Sequence, residues 1–177
     1  MRVKVQNEEV FFAEDSLVQV ERGDVEFLKQ KAKTNARQRV RLCAHRSVDE
    51  SVHEMLIVHT RDTYVRPHKH LNKTESFHLI EGSADVVVFD DVGNIMDIVQ
   101  MGDYTSGKQF YYRMSEPFYH TVIITSEQLV FHESSSGPFV RSDTVFPSWA
   151  PDGSDPIAQE EFMGRLSRAV QRFLLQR

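Results

Sequence analysis

The sequence predicts an all-β domain, a sandwich or barrel, with one short helix ahead of it and one behind. Three observations predict it. Between about residues 36 and 133, short apolar or alternating runs follow one another: Met55 to Val58, Phe77 to Ile80, Ala84 to Phe89, Ile95 to Met101, Phe110 to Met114, His120 to Ile124 and Leu129 to Glu133. Turn signals separate several of them, at Arg61-Asp62-Thr63, Asp90 to Asn94, Gly102-Asp103 and Ser106-Gly107, and no helical period intervenes. The run Met55-Leu56-Ile57-Val58 is apolar throughout, which suits a strand covered on both faces.

In chain order, Glu9-Val10-Phe11-Phe12 and Ser16 to Val20 are β-like and suit an edge strand or a dimer contact. Asp24, after Gly23, reads as a helix N-cap, and Val25, Leu28 and Ala32 keep helical spacing, so a helix is expected over Asp24 to Lys33. Arg37, Arg39 and Arg41 alternate with Gln38, Val40 and Leu42, giving a strand with one basic row. That row is either a solvated face, the reading favoured here, or a grip for a sugar phosphate or carboxylate. Cys43 falls in the same alternating stretch and reads as core, not as a nucleophile. His45 shares the ambiguity of the basic row, and nothing in the pattern makes His53 or His59 a ligand.

The segment that organises the chain is Arg66-Pro67-His68-Lys69-His70, a polar turn Asn72-Lys73-Thr74, then Glu75 leading the strand Phe77 to Ile80, closed by Gly82. Strand side chains alternate with period two, so His68 and His70 share a face. Two adjacent strands can therefore present two imidazoles and a carboxylate to one point, the ligand set of a facial triad that suits divalent iron and similar ions. H-x-H alone is a weak signal, because a half-buried strand often carries two structural histidines. The full spacing H-x-H-x4-E-x6-G, in a strand, turn, strand, glycine setting, is much narrower. His120, behind Pro117, is a fourth candidate. His78 is out of phase with Glu75 and is excluded.

These residues resemble a known family. His68, His70, Glu75 and Gly82 resemble the first signature of the cupin superfamily, and Pro117 with His120 resembles the second, without its central glycine. Closer still, Ala36 to Arg39, Tyr64 to His70, Glu81-Gly82, Val87 to Asp91 with Gly93, and Trp149-Ala150-Pro151 are similar to the WbuC-type cupin-fold metalloproteins, over about residues 30 to 151. The resemblance implies a cupin jelly-roll barrel over 36–151, an N-terminal extension over 1–35 with short strands and a helix, and an added amphipathic helix over 152–177. It also implies one divalent metal per chain, a homodimer, and an association with surface-polysaccharide metabolism, hence a sugar or sugar nucleotide as substrate.

The site chemistry follows from the ligand types. Three histidines and one glutamate leave one or two positions open at five or six coordination, unlike the closed tetrahedral sites of structural zinc. Iron, manganese, zinc and nickel all fit. Arg66 and Lys73 would suit an anionic or sugar-like small molecule. Tyr64, Tyr112 and Tyr119 are candidates for acid–base work, and Glu133 is either a barrel-facing base or a solvated edge residue, the latter being favoured here. A metal-dependent isomerase, epimerase or oxygenase is the first expectation. A non-catalytic metal-centred binding or sensing module is the alternative, and a metal-free barrel using His68 as a base is a third.

The remaining sequence narrows the class. The chain has 177 residues, 40% hydrophobic and 27% charged, enough for one well-cored domain. A net charge of −5 gives no electrostatic footprint for nucleic acid. One cysteine excludes an internal disulfide framework. No apolar run approaches the ~20 residues of a membrane span, and the N-terminus has no long apolar h-region, so a cytoplasmic protein is expected. Beyond Ser134 a loop is expected to wrap the barrel, with Trp149 as a core anchor. Asp155-Pro156 then caps a helix whose apolar positions Phe162, Leu166, Ala169, Val170 and Phe173 would pack on its own domain or on a second copy.

Overall fold

Strand β4 (Val52–Thr60) divides its side chains between two cores, and this division sets the architecture. In the computed structural model, which describes residues 1–176, Met55 and Ile57 point into a barrel interior. There they meet Phe77, Leu79, Val86, Val122 and Phe131. Leu56 and Val58 point outward, against Val40, Leu42, Leu28 and Ala32. The apolar run is thus covered on both faces, as its composition predicts.

The other elements are β1 (Val3–Val5), β2 (Val10–Ala13), α1 (Arg22–Thr34), β3 (Arg39–Cys43), β5 (Lys69–His70), β6 (Glu75–Glu81) and β7 (Ser83–Phe89). They continue with β8 (Ile95–Gly102), β9 (Tyr111–Met114), β10 (Tyr119–Ile124), β11 (Gln128–Ser136), β12 (Thr144–Val145) and α2 (Pro156–Leu174). A seven-stranded sheet runs β1-β2-β3-β4-β11-β6-β9 and curls around one side. A three-stranded sheet, β10-β7-β8, and the short pair β12-β5 supply the rest. All pairings are antiparallel except β2 with β3. The result is the expected all-β barrel with two helices added.

Helix α1 covers the outer face of β3 and β4. Burying Leu28 there contributes ~1.5–3 kcal/mol. Its N-terminus corrects the expected cap. The helix starts at Arg22, and Asp24 sits inside the first turn, its carboxylate accepting from the Glu21 N–H at 3.0 Å as half of a capping box. Lys29, almost fully buried, clamps this helix to the barrel through Glu81 at the end of β6 (2.6 Å). The first 35 residues do not stand apart: β1 and β2 extend the large sheet, with β1 at its edge.

Helix α2 packs Leu166 and Val170 against Val87, Phe89 and Ile98 on the outside of the smaller sheet, so its apolar stripe covers its own domain. Asp155 caps it by accepting from the Ile157 and Ala158 N–H groups. Trp149 is wedged between this helix and the sheet, beside Phe89, Tyr119 and Phe162, with its indole N–H donating to the Asp91 carbonyl (3.3 Å). Among the described residues no helix is long and apolar enough to cross a membrane.

Gly82 makes the turn from β6 to β7. Its φ is +94°, and a Cβ there would lie 2.3 Å from the Gln128 carbonyl oxygen, so both the conformation and the close approach demand glycine.

Candidate metal centre

His68 and His120 meet across an isolated antiparallel bridge, with backbone hydrogen bonds of 3.1 and 2.9 Å in the two directions. Two residues on, His70 lies in β5, which pairs with β12. Alternation turns Lys69 outward, where it pairs with Asp91 at 2.6 Å and sits over the Tyr119 ring. His68 and His70 turn inward, ring centroids 4.9 Å apart, and His120 stands 4.5 and 6.0 Å from them. One nitrogen from each ring lies within 4.8 Å of the others. Glu75, first residue of β6, reaches the same point: its carboxylate oxygens are 3.0 Å from His120 Nε2 and 3.5 Å from His70 Nε2.

Each imidazole is tied from behind. His68 Nδ1 donates to the Arg66 carbonyl (2.8 Å) and His120 Nδ1 to the Phe118 carbonyl (3.1 Å), while His70 Nδ1 bonds Thr144 Oγ1 (3.1 Å). With Nδ1 engaged, Nε2 is the nitrogen left to face the centre, the outer-shell arrangement that fixes a metal-binding histidine. Donor types, spacing and anchored tautomers all fit a divalent ion.

The electrostatics agree. Burial, with His120 and His70 close by, pulls His68 down to about 3. Burial lowers His70 to about 4 against the pull of Glu75. Both rings are therefore neutral lone-pair donors at neutral pH. For His120, burial is the largest single cause and acts downward, but the hydrogen bond and charge of Glu75, with the Phe118 carbonyl and the Glu133 charge, together outweigh it and raise the ring. For Glu75, burial acts upward, and the His120 hydrogen bond and charge outweigh that, holding the carboxyl below its usual range. An incoming cation would displace the proton shared by this pair.

The four residues open on a cavity of about 420 Å³, within the range of small-molecule sites (~300–1,000 Å³). Lys73 and Tyr112 line it. Tyr112 stacks on Phe77, and burial raises its hydroxyl well above the ordinary value. Three other sequence candidates lie outside it. Tyr64 donates to the Pro151 carbonyl (2.8 Å) and packs on Phe162 of α2. Tyr119 alternates with His120 and so faces outward into the α2 core. Arg66 lies 4.5 Å over the Phe146 ring, and only its backbone serves the site, through His68. His78 is exposed beside Phe110 and faces away, as its phase predicts.

Other readings are corrected. Glu133 is no solvated edge residue. It pairs in register with Phe77, faces the cavity, and is pushed up to about 7 by burial and by the Glu75 charge. Arg39 and Arg41 lie on the cavity side of β3, because Val40 and Leu42 are claimed by α1, while Arg37 and Arg41 stay solvent-exposed as the favoured reading expects. His45, His53 and His59 also line the cavity, the first two stacked 4.2 Å apart. Cys43 is buried beside them, and burial raises its thiol to about 11, which leaves it inert.

Comparison with known proteins adds fold and little else. A model described as a domain of unknown function (DUF6016) matches residues 20–101, a span that holds His68, His70 and Glu75 and stops short of His120. No curated protein matches the chain. Among solved structures it is similar to protein SO0799 from Shewanella oneidensis, at 10% identity over 60% of this chain and 72% of that one, with a TM-score of 0.50. That likeness is one of fold. It is also similar to a Bacillus subtilis oxalate decarboxylase variant (20% identity, 56% of this chain, 25% of that one, TM-score 0.44). A recombinant oxalate oxidase in complex with glycolate gives 12% identity over 64% of this chain and 57% of that one, with a TM-score of 0.48. The matched part of this chain spans only those fractions of the two enzymes.

Proposed function

We propose that the protein is a metal-dependent enzyme acting on a small molecule inside the barrel, with His68, His70, His120 and Glu75 as the metal ligands. The observation that carries this reading is the convergence of three imidazoles, one nitrogen from each within 4.8 Å of the others and each Nδ1 hydrogen-bonded, at the wall of a cavity large enough for substrate. When bound, a divalent ion supplies a Lewis acid with open coordination positions. The chain supplies the rest. Phe77, Phe131 and Tyr112 exclude water from one wall. Glu133, held by burial near neutral titration, can take or return a proton at a substrate atom. Lys73 offers a positive charge at the triad end.

The WbuC-type resemblance supplies the first substrates to assay, sugars and sugar nucleotides of surface-polysaccharide metabolism, and a homodimer as the expected assembly. The test is elemental mass spectrometry of the natively purified chain, followed by product analysis with those substrates. Near-stoichiometric iron, manganese, nickel or zinc and metal-dependent turnover support the reading. Stoichiometric metal with tight ligand binding and no product would make it a metal-centred binding module instead. No metal after reconstitution would overturn it.

A further inference from the structure

Arg37, Arg39 and Arg41 alternate along one row, but they are not equivalent. Arg37 and Arg39 both pair with Glu9, at 3.4 and 3.1 Å. Arg41 has no ion pair or side-chain hydrogen bond among the described residues, although it lines the cavity and its charge is felt at His59, Cys43 and Glu133. On the neighbouring strand His59 is only 8% exposed, also lines the cavity, and leaves Nδ1 buried without a hydrogen-bond partner. A buried polar atom without a partner forfeits its hydration and receives nothing in return, so a ligand that satisfied it would recover that loss.

We propose that Arg41 and His59 form an oxyanion subsite that holds the carboxylate or phosphate of a small substrate whose other end reaches the metal centre. The inference rests on reading the cavity as a substrate site and names the class of molecule it takes.

Register separates the two ends. Glu75 lies level with Ser135 on β11 and His53 on β4. Arg41 lies level with Ile57, four residues farther along β4, or ~13 Å of strand. His59 lies two residues beyond Ile57, ~20 Å of strand from the level of Glu75, so only an elongated small molecule touches both ends. Guanidinium is the side chain best matched to a carboxylate or phosphate, through a charge-assisted fork. Burial and the Arg41 charge hold His59 down to about 3, so its ring is neutral and gives one N–H, which suits an oxyanion beside the solvent-exposed Arg41 without adding a second positive charge. Phe131, edge-on to the ring at 5.3 Å, fixes its plane.

The test is calorimetric titration of the metal-loaded full chain with succinate, its neutral diamide and inorganic phosphate, at fixed ionic strength. Metal content is measured on every variant. We expect one or both anions to bind at least tenfold more tightly than the diamide; the tighter anion tells carboxylate from phosphate. Arg41→Gln should weaken that binding at least tenfold with metal content unchanged, and His59→Phe several-fold. Arg37→Gln should change nothing. Anion binding untouched by Arg41→Gln would place the anion on the metal and overturn the subsite, as would equal affinity for the diamide. Arg41-dependent binding in a chain that holds no metal would keep the subsite and defeat the metal reading. If His59→Phe fails to fold, Arg41→Gln still decides.

Discussion

The N–H of His68 donates to the carbonyl of His120 at 3.1 Å, and the N–H of His120 donates back to His68 at 2.9 Å. This reciprocal pair fuses two distant stretches of chain into one ligand platform. The platform belongs to the sheet and not to the apolar core, so its imidazoles can be removed without emptying the interior.

The first prediction follows. His68→Ala and His70→Ala should lose most bound metal, while circular dichroism and cooperative unfolding persist. His78→Ala, exposed on the opposite face of β6, should retain it. Elemental mass spectrometry per chain checks all three. Metal lost from His78→Ala but kept by Glu75→Gln would break the assignment.

Glu133 carries a second. Its folded value of about 7 lies above the ordinary carboxyl value of 4.5, so the neutral form is the one the fold favours. Stability from this group is complete below about pH 4.5 and is lost as pH rises through about 7. In metal-free protein, Glu133→Gln should therefore be more stable than wild type at pH 8, by on the order of 3 kcal/mol and with a higher melting temperature, and differ little at pH 4.5. A cation at the neighbouring centre favours the carboxylate, so metal should shrink the difference. Thermal melts at two pH values, with and without metal, measure it.

Gly82 gives a third. Gly82→Ala forces a Cβ to 2.3 Å from the Gln128 carbonyl at a φ of +94°. A strained residue of this kind costs about 1–3 kcal/mol, and the backbone contact adds to it. Chemical denaturation should show a lower midpoint with an unchanged slope. An unchanged midpoint would mean that β6 and β11 can separate at that turn.

How far the sequence could be read depends on which physical rule applied. Period-two alternation places His68 and His70 together and turns His78 away. The same rule, applied one residue before His120, turns Tyr119 outward, and applied from Phe131 it turns Glu133 inward. What alternation does not say is which face of a strand is covered, and by what. Arg41 and Val40 occupy opposite faces in any reading. That the basic row looks into the cavity follows only once α1 is known to take Val40 and Leu42. His59 shares a face with Met55 and Ile57, and only the strand pairing carries that face into the cavity. Local chemistry misled in one place: Asp24 has the side chain of an N-cap, but as half of a capping box it sits a turn inside the helix.

The last prediction concerns acid. His59 and His68 are lowered to about 3 and His70 to about 4, from 6.5, in each case chiefly by burial. These are depressed folded values, so the stability they contribute is present above pH 6.5. It is lost as pH falls through the range between 6.5 and 3–4, where the unfolded chain binds protons that the folded chain refuses. The Glu75–His120 pair offsets only part of this: the raised His120 ring adds stability below 6.5, but that of the depressed Glu75 carboxyl fades as pH falls from about 4.5 through about 2. Every tenfold loss of proton affinity on folding is worth ~1.4 kcal/mol, against a total stability of ~5–15 kcal/mol, so even part of the three rings' combined effect is decisive. Metal-free protein should therefore unfold cooperatively on acidification above pH 4. Metal, which needs the same neutral rings, should move that midpoint to lower pH. His59→Phe removes one of the three titrations while keeping an aromatic ring against Phe131, and should flatten the acid limb without touching metal content. Fluorescence-monitored unfolding between pH 3 and 8 distinguishes the cases. An acid limb equally steep in His59→Phe would show that this ring already protonates in the folded barrel, and that the cavity is wetter around it than its burial implies.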